Sequence, residues 1–193
     1  MNYNKWDSYS TWNYKKVNNV RYSAGILPYT FDQTGKCLFL LGKDNEGDWS
    51  DFGGRCEFKD HNEPLNTATR EFYEETLGAV LNIQECTDKI NINPVKIISK
   101  TLNGSPYYMY LIYIDYVNYM DTFGKTLNFL KYNYNQDKRT LNRIVEKTLI
   151  RWFNMDTLLN CIETSQSTGP ISLRGVFYNT ILNSREQLQF LIK

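Results

Sequence analysis

The sequence is poor in the residues that build soft-metal and nucleophilic sites. Its 193 residues include one histidine, His61, and four cysteines. The cysteines lie far apart and form no C-x-x-C pair, at Cys37, Cys56, Cys86 and Cys161. This spacing argues against a zinc site and for a reducing compartment. The single histidine excludes a histidine-rich metal cage and disfavours catalysis by a serine–histidine or cysteine–histidine pair.

The sequence also lacks a long apolar run and a strong charge of one sign. No stretch reaches the length of a membrane span, and the polar, aromatic N-terminal region is unlike a signal peptide. The net charge of +1 provides no global field for nucleic acid. We therefore expect a cytoplasmic protein with neither a membrane nor a DNA partner. The sequence leaves the oligomeric state open.

The composition predicts one globular domain of the α/β class. Apolar residues make up 41% of the chain, enough to bury a core without disulfide or metal support. Residues 1–20 are predicted to be an aromatic and polar extension that packs on a domain spanning residues 21–193. The predicted strands are 20–28, 37–41, 95–101, 107–117 and 148–153. The predicted helices are 64–77, parts of 121–143, 155–161 and 173–191. Because the two types interleave, we expect a mixed sheet between helices.

Three glutamates share one face of the helix predicted at 64–77. Glu71, Glu74 and Glu75 stand at the i, i+3 and i+4 positions. Like charges at this spacing repel one another, so a cation held between them would stabilise the arrangement. Carboxylate oxygens are the ligands that hard divalent ions such as Mg²⁺ take. The alternative is a solvated acidic face that binds nothing.

The charges are unevenly distributed along the chain. Residues 44–75 contain ten acidic and three basic residues, whereas residues 125–151 contain seven basic and two acidic ones. An acidic cation site beside a basic segment would suit a substrate with several phosphates. The alternative is ordinary charge scatter on a solvated surface.

Residues 54–78 resemble the Nudix box, the signature motif of the Nudix hydrolases. The box consists of a glycine and an acid, then Arg-Glu-x-x-Glu-Glu, and a closing glycine. Its positions here are Gly54, Asp60, Arg70, Glu71, Glu74, Glu75 and Gly78. The stretch 70–75 matches residue for residue. Asp60 replaces the glutamate of the family, the loop up to Arg70 is two residues longer, and Leu77 adds one residue before Gly78.

This resemblance implies a Nudix-type α-β-α sandwich with a central mixed sheet. It also implies an enzyme that hydrolyses phosphoric anhydride bonds with Mg²⁺ or Mn²⁺. The implied catalytic residues are Arg70, Glu74, Glu75 and Glu146. The implied metal ligands are Gly54, Glu71, Glu74, Glu75 and Glu146. Arg55 and Lys59 are the implied substrate-binding residues, because each could grip a phosphate.

Two of these assignments have rivals in the sequence. The longer loop leaves open whether Asp60 or Glu63 serves as the first acid of the box. Glu146 is implicated because the nearby tryptophan and aspartate resemble an element found near the end of many Nudix domains. Asp115, on the strand predicted at 107–117, is the rival for this additional acid.

The box does not select a substrate among those of the family. The phrases at 22–28 and 49–54 resemble Nudix proteins of large DNA viruses, some of which remove mRNA caps. Capped RNA is therefore a leading candidate, with the host cytoplasm as the location if the protein is viral. The alternative is a small nucleotide, a dinucleoside polyphosphate or a diphosphoinositol polyphosphate. From another class, the chain could be a catalytically silent Nudix fold or an RNA-binding module.

Overall fold

The computed structural model describes residues 21–164 and 170–191, and the extension predicted at 1–20 lies outside them. Within these residues the chain forms seven strands and seven α-helices. The strands are β1 (Ser23–Phe31), β2 (Cys37–Asp44), β3 (Trp49–Ser50), β4 (Phe52–Arg55), β5 (Lys96–Lys100), β6 (Pro106–Tyr113) and β7 (Lys147–Asn154). The helices are α1 (Pro64–Glu75), α2 (Ile83–Ile92), α3 (Tyr119–Asn133), α4 (Lys138–Ile144), α5 (Met155–Glu163), α6 (Gly175–Asn183) and α7 (Arg185–Leu191).

The seven strands form one mixed sheet, as predicted. Its main path runs β3-β2-β1-β6-β5, with β4 paired to β1 and β7 paired to β2. Strands β1 and β6 run parallel, while the other pairs are antiparallel. Strand β1 therefore lies at the centre and holds β4, with the glycines at 53 and 54, at its N-terminal half.

Helices cover both faces of the sheet and give an α-β-α sandwich. On one face, α1, α2 and α3 bury side chains that include Phe72, Ile90 and Phe123. On the other face, α5, α6 and α7 contribute the buried Leu158, Phe177 and other apolar residues. The predicted fold class is thus confirmed. No helix in the described part of the chain is long and apolar enough to cross a membrane.

Gly53 and Gly54 lie in a strand that is absent from the strands predicted from the sequence. Phe52–Arg55 is a strand, in which Gly53 and Gly54 pair with Gly25 and Ala24 of β1. A Cβ on Gly53 would lie 2.6 Å from the Gly25 Cα, so the two backbones approach too closely for a side chain. The strand exists because glycine permits this contact, although glycine is depleted in strands generally.

Helix α1 begins at Pro64, as the sequence predicts, but it ends earlier than predicted. Its N-cap is Glu63, and regular helix stops at Glu75 instead of residue 77. Both Leu77 and Gly78 have positive φ, and Gly78 donates its N–H to the Tyr73 carbonyl at 2.9 Å. Gly78 therefore lies in the turn that ends the helix, as expected for a glycine in this position.

Candidate active site

Arg70 lies at the centre of a network of buried ions on α1. Its guanidinium donates to both oxygens of Asp60, at 2.8 and 2.9 Å. The same group donates to Glu71 at 2.7 Å, to Glu74 at 2.9 Å and to the Arg55 carbonyl at 3.0 Å. Since the Arg70 side chain is only 9% exposed, these bonds tie the loop before α1, strand β4 and the helix into one unit.

Asp60, not Glu63, is the acid that meets Arg70. Burial alone would raise the pKa of Asp60. The bonds from Arg70, the Glu57 N–H and the Thr67 hydroxyl outweigh burial and lower this pKa to about 2. Glu63 is exposed and makes no capping bond through its side chain. Asp60 is therefore the first acid of the box in position to pair with Arg70.

Glu71 lies against the backbone of Gly54. A Cβ on Gly54 would lie 2.5 Å from the Glu71 carboxylate, so only glycine leaves room for that group here. Glu71 is 8% exposed, and burial raises its pKa to about 7 despite the nearby Arg70. The desolvated Glu71 carboxylate thus occupies the space that a side chain at residue 54 would fill.

Glu75 lies deeper, between Gly53 and Lys147. The Gly53 N–H donates to its Oε2 at 2.8 Å. Its Oε1 is buried without a hydrogen bond, although the Lys147 Nζ lies 3.4 Å away. We treat this contact as an ion pair, because the distance is long for a hydrogen bond. Burial raises the pKa of Glu75 to about 8, and the Lys147 charge opposes the rise.

Glu74 and the two predicted phosphate-binding residues lie nearer to solvent. Glu74 bonds to Arg70 and also to the Lys59 ammonium, which lies 3.2 Å from it. Lys59 is thus already engaged by acids, since Glu57 lies 3.3 Å from it as well. Arg55 has an exposed side chain and lines a large cavity described below.

The two rivals for the additional acid occupy different environments. Glu146 is exposed just before β7, near enough to raise the pKa of Glu71 and Glu75 by its charge. Asp115 is also exposed, but β6 ends at Tyr113, so Asp115 follows the strand instead of lying on it as predicted. Glu146 is therefore the rival whose charge acts on the buried carboxylates of α1.

Next to Glu75 lies a second set of buried polar side chains, which the sequence did not reveal. The Lys147 Nζ donates to the Ser50 hydroxyl at 2.8 Å, and Lys147 is only 1% exposed. The neighbouring Asp51 accepts a hydrogen bond from the Tyr107 hydroxyl. Burial raises the pKa of Asp51 to about 6. No local pattern indicates these contacts, because 97 residues separate Lys147 from Ser50.

A cavity of about 1040 Å³ opens beside these groups. Its lining includes backbone and side chains at 50–51 and 53–58, from β3 and β4 into the following loop. The start of β1, the turn between β5 and β6, and the start of α6 complete its walls. The cavity thus shares Gly53 and Gly54 with the carboxylate cluster, which consists of Glu71, Glu74 and Glu75.

Two observations show that the oxygen atoms around Gly54 suit the predicted Mg²⁺ or Mn²⁺. Glu75 keeps a buried oxygen without a hydrogen-bond donor, and Gly54 leaves room for the Glu71 carboxylate against the backbone of β4. Carboxylate and carbonyl oxygens are the ligands of these ions. In residues 21–164 and 170–191, however, no three acidic, cysteine or histidine side chains already surround one point as metal ligands do. A cation would have to draw Glu71 and Glu74 away from Arg70.

Solved structures with the same architecture identify the fold. An Ap4A hydrolase from C. elegans, in a binary complex, superposes with a TM-score of 0.50 at 15% identity, covering 88% of this chain and 97% of that chain. The chain has a Nudix-type fold. A Nudix hydrolase from M. smegmatis, RenU, is a more distant likeness, with a TM-score of 0.47, 12% identity and coverage of 88% and 86%. No protein-family model and no curated protein matches the sequence.

Proposed function

We propose that this protein is a divalent-metal-dependent pyrophosphohydrolase. It would cleave a diphosphate linkage in a nucleoside-diphosphate-linked or polyphosphate substrate. One observation supports this most directly: the buried Glu75 and Glu71 carboxylates lie against Gly53 and Gly54 of β4, and these two glycines also line a large cavity. Burying carboxylates costs free energy, and a bound cation would offset that cost.

Each residue of the box has a role in this proposal. Glu71, Glu74, Glu75, Glu146 and the Gly54 carbonyl would hold Mg²⁺ or Mn²⁺. The ion, when bound, supplies Lewis acidity toward the phosphate oxygens and toward the attacking water. Arg70 keeps the helix and the Asp60 loop at a fixed separation, so that the acids face the linkage. Glu74 and Glu146, the more exposed acids, are the proposed proton acceptors.

Among substrates, the cavity favours a small molecule. Its volume of about 1040 Å³ is at the upper end of pockets that enclose drug-sized ligands. None of the basic residues of 125–151 lines it, so that segment gives no support to an RNA substrate at this cavity. Capped RNA, with mRNA decapping as the activity, is a prediction that rests on the sequence resemblance alone. It is tested beside the small nucleotides.

A hydrolysis panel tests the proposal. Capped RNA, free cap dinucleotide, ADP-ribose, diadenosine polyphosphates and diphosphoinositol phosphates are incubated with Mg²⁺, with Mn²⁺ and with chelator. We expect metal-dependent cleavage of at least one of them. Cleavage of none, by folded protein with either metal, would favour a silent binding fold. Retention of RNA that is steeply salt-dependent and indifferent to Mg²⁺ would favour an RNA-binding module.

Glu75→Gln is the decisive variant on the substrate that is cleaved. We expect a loss of about 10²–10⁴ in rate, because the variant removes the charge of the most buried proposed ligand. Glu163→Gln is the matched control, since Glu163 is exposed on α5 and pairs with Arg185. Full activity in Glu75→Gln would remove Glu75 from the mechanism. The rates of Glu146→Gln and Asp115→Asn on the same substrate decide which of these two acids takes part, since only the variant of that acid should lose activity.

A further inference from the structure

The cavity beside Gly54 contains cationic and aromatic groups that the carboxylate cluster does not use. Three arginines line it: Arg21, Arg55 and Arg174. All three side chains are exposed, and none forms an ion pair with a described residue. The guanidinium group binds phosphate through two parallel hydrogen bonds, so free arginines around one cavity favour a polyanionic ligand.

Backbone pairing places two of these arginines on one wall. Arg55 of β4 lies opposite Ser23 of β1, and the Cys56 N–H donates to the Tyr22 carbonyl at 3.1 Å. Arg21 precedes Ser23 by two residues, so extended chain puts both side chains on the same face. Arg21 and Arg55 are therefore diagonal neighbours on adjacent antiparallel segments, at a separation that one or two phosphates can bridge.

Arg174 comes from a different wall. Its N–H donates to the Trp49 carbonyl at 2.9 Å, which fixes the start of α6 beside β3. Its charge acts on Asp51 and Tyr107, two cavity-lining residues that hydrogen-bond to each other. Cations on separate walls suit a ligand whose negative charges are spread along its length.

The acidic residues in the lining do not neutralise the charge of these arginines. Glu57 lies 3.3 Å from Lys59, which reduces its pull on the cavity cations. Asp51 is 4% exposed and bound by Tyr107, at the floor of the cavity. Among the exposed charged side chains of the lining, three arginines therefore stand against one carboxylate, that of Glu57.

Phe58 supplies a flat apolar surface at the same cavity. It lies in a short 3₁₀ helix (Phe58–Asp60) between the glycines and α1, and 94% of the residue is exposed. A phenyl ring left in water gains nothing for the fold, whereas stacking on a nucleobase would cover it. Its position next to the arginines places an aromatic face near the site expected for phosphates.

We propose that the cavity binds a nucleoside polyphosphate with three or more phosphates, whose outer phosphates contact Arg21, Arg55 and Arg174 and whose base stacks on Phe58. This inference rests on the proposed function, since the linkage to be cleaved would lie at the carboxylate cluster. It narrows the substrate class to molecules that have both a base and phosphates beyond the cleaved pair. Diphosphoinositol phosphates lack the base, and ADP-ribose lacks the additional phosphates.

Binding without hydrolysis tests this inference. The affinities of AMP, ADP, ATP and inorganic tripolyphosphate are measured by calorimetry in chelator at physiological salt. We expect the affinity to rise from AMP to ADP to ATP. In the double variant Arg21→Gln and Arg174→Gln, this rise should be much smaller. Phe58→Ala should weaken ATP roughly tenfold, in the range of base–aromatic stacking, and leave tripolyphosphate unchanged. Arg185→Gln and Phe129→Ala are the controls, since both residues lie outside the cavity lining and Phe129 is exposed.

The possible outcomes are distinguishable. Equal affinity for AMP and ATP, or an equal effect of Phe58→Ala on ATP and tripolyphosphate, would overturn the inference. So would a rise in affinity that survives loss of both arginines. If the hydrolysis panel succeeds and the binding series is flat, this inference fails while the proposed function stands. If the series behaves as expected and nothing is hydrolysed, the cavity is assigned correctly and the proposed activity is wrong.

Discussion

Replacing Arg70 by methionine should destabilise the protein more than any exposed charge change. The variant leaves Asp60, which is 2% exposed, and Glu71, which is 8% exposed, without their guanidinium partner. Removing one partner of a buried ion pair costs about 3–5 kcal/mol, because the remaining charge stays desolvated. In a domain of this size that loss corresponds to a decrease in Tm of about 10 °C.

Urea unfolding in the absence of metal measures this free energy. Arg185→Met is the control, because Arg185 pairs with Glu163 at 2.6 Å on the surface, with 40% and 51% of the two side chains exposed. Such a surface ion pair adds less than about 1 kcal/mol to the free energy of unfolding. Adding Asp60→Asn to Arg70→Met should recover part of the loss, since the stranded carboxylate becomes neutral. Equal losses for Arg70→Met and Arg185→Met would refute the idea that Arg70 stabilises a desolvated cluster.

Two further predictions concern the groups around Arg70. Gly54→Ala should lower both activity and stability, because its Cβ would meet the Glu71 carboxylate at 2.5 Å. Gly124→Ala is the control, because a Cβ at this position on α3 would meet no atom within 4 Å. An equal loss of activity in both variants would contradict this reasoning. The pKa of Asp60 is about 2 in the folded protein, below its ordinary value of 3.8. Ionised Asp60 therefore adds about 2 kcal/mol to the free energy of unfolding at pH values above 3.8, and this contribution is lost as the pH falls through about 2. The difference in unfolding free energy between wild type and Asp60→Asn should therefore shrink between pH values of about 5 and 2; a constant difference would contradict it.

The sequence predicts what depends on local spacing. Helix α1 and its buried side follow from the period of Ala68 and Phe72, both fully buried. Helix α2 was not predicted, although Asn82 and Glu85 form a capping box that marks its start. Strand β4 escaped prediction because its glycines have no strand propensity, and its pairing with β1 depends on close backbone contact.

The parts of the site that were missed are brought together by long-range packing. Lys147 reaches Glu75 across the sheet, and Arg174 reaches the cavity from the start of α6. A lysine between a glutamate and a threonine has no local feature that marks it as buried. The basic composition of 125–151 suggested a phosphate-binding segment, but the arginines around the cavity come from elsewhere in the chain.

The ammonium of Lys147 beside Glu75 and the guanidinium of Arg70 beside Glu71 act as built-in counter-ions. Zinc fingers, by contrast, stay unfolded until their metal ion binds. Here the acidic face can assemble during synthesis in a cell depleted of free divalent ions. Under the proposed function, the protein would accumulate in a folded, metal-free form and would gain activity on binding the ion without any refolding.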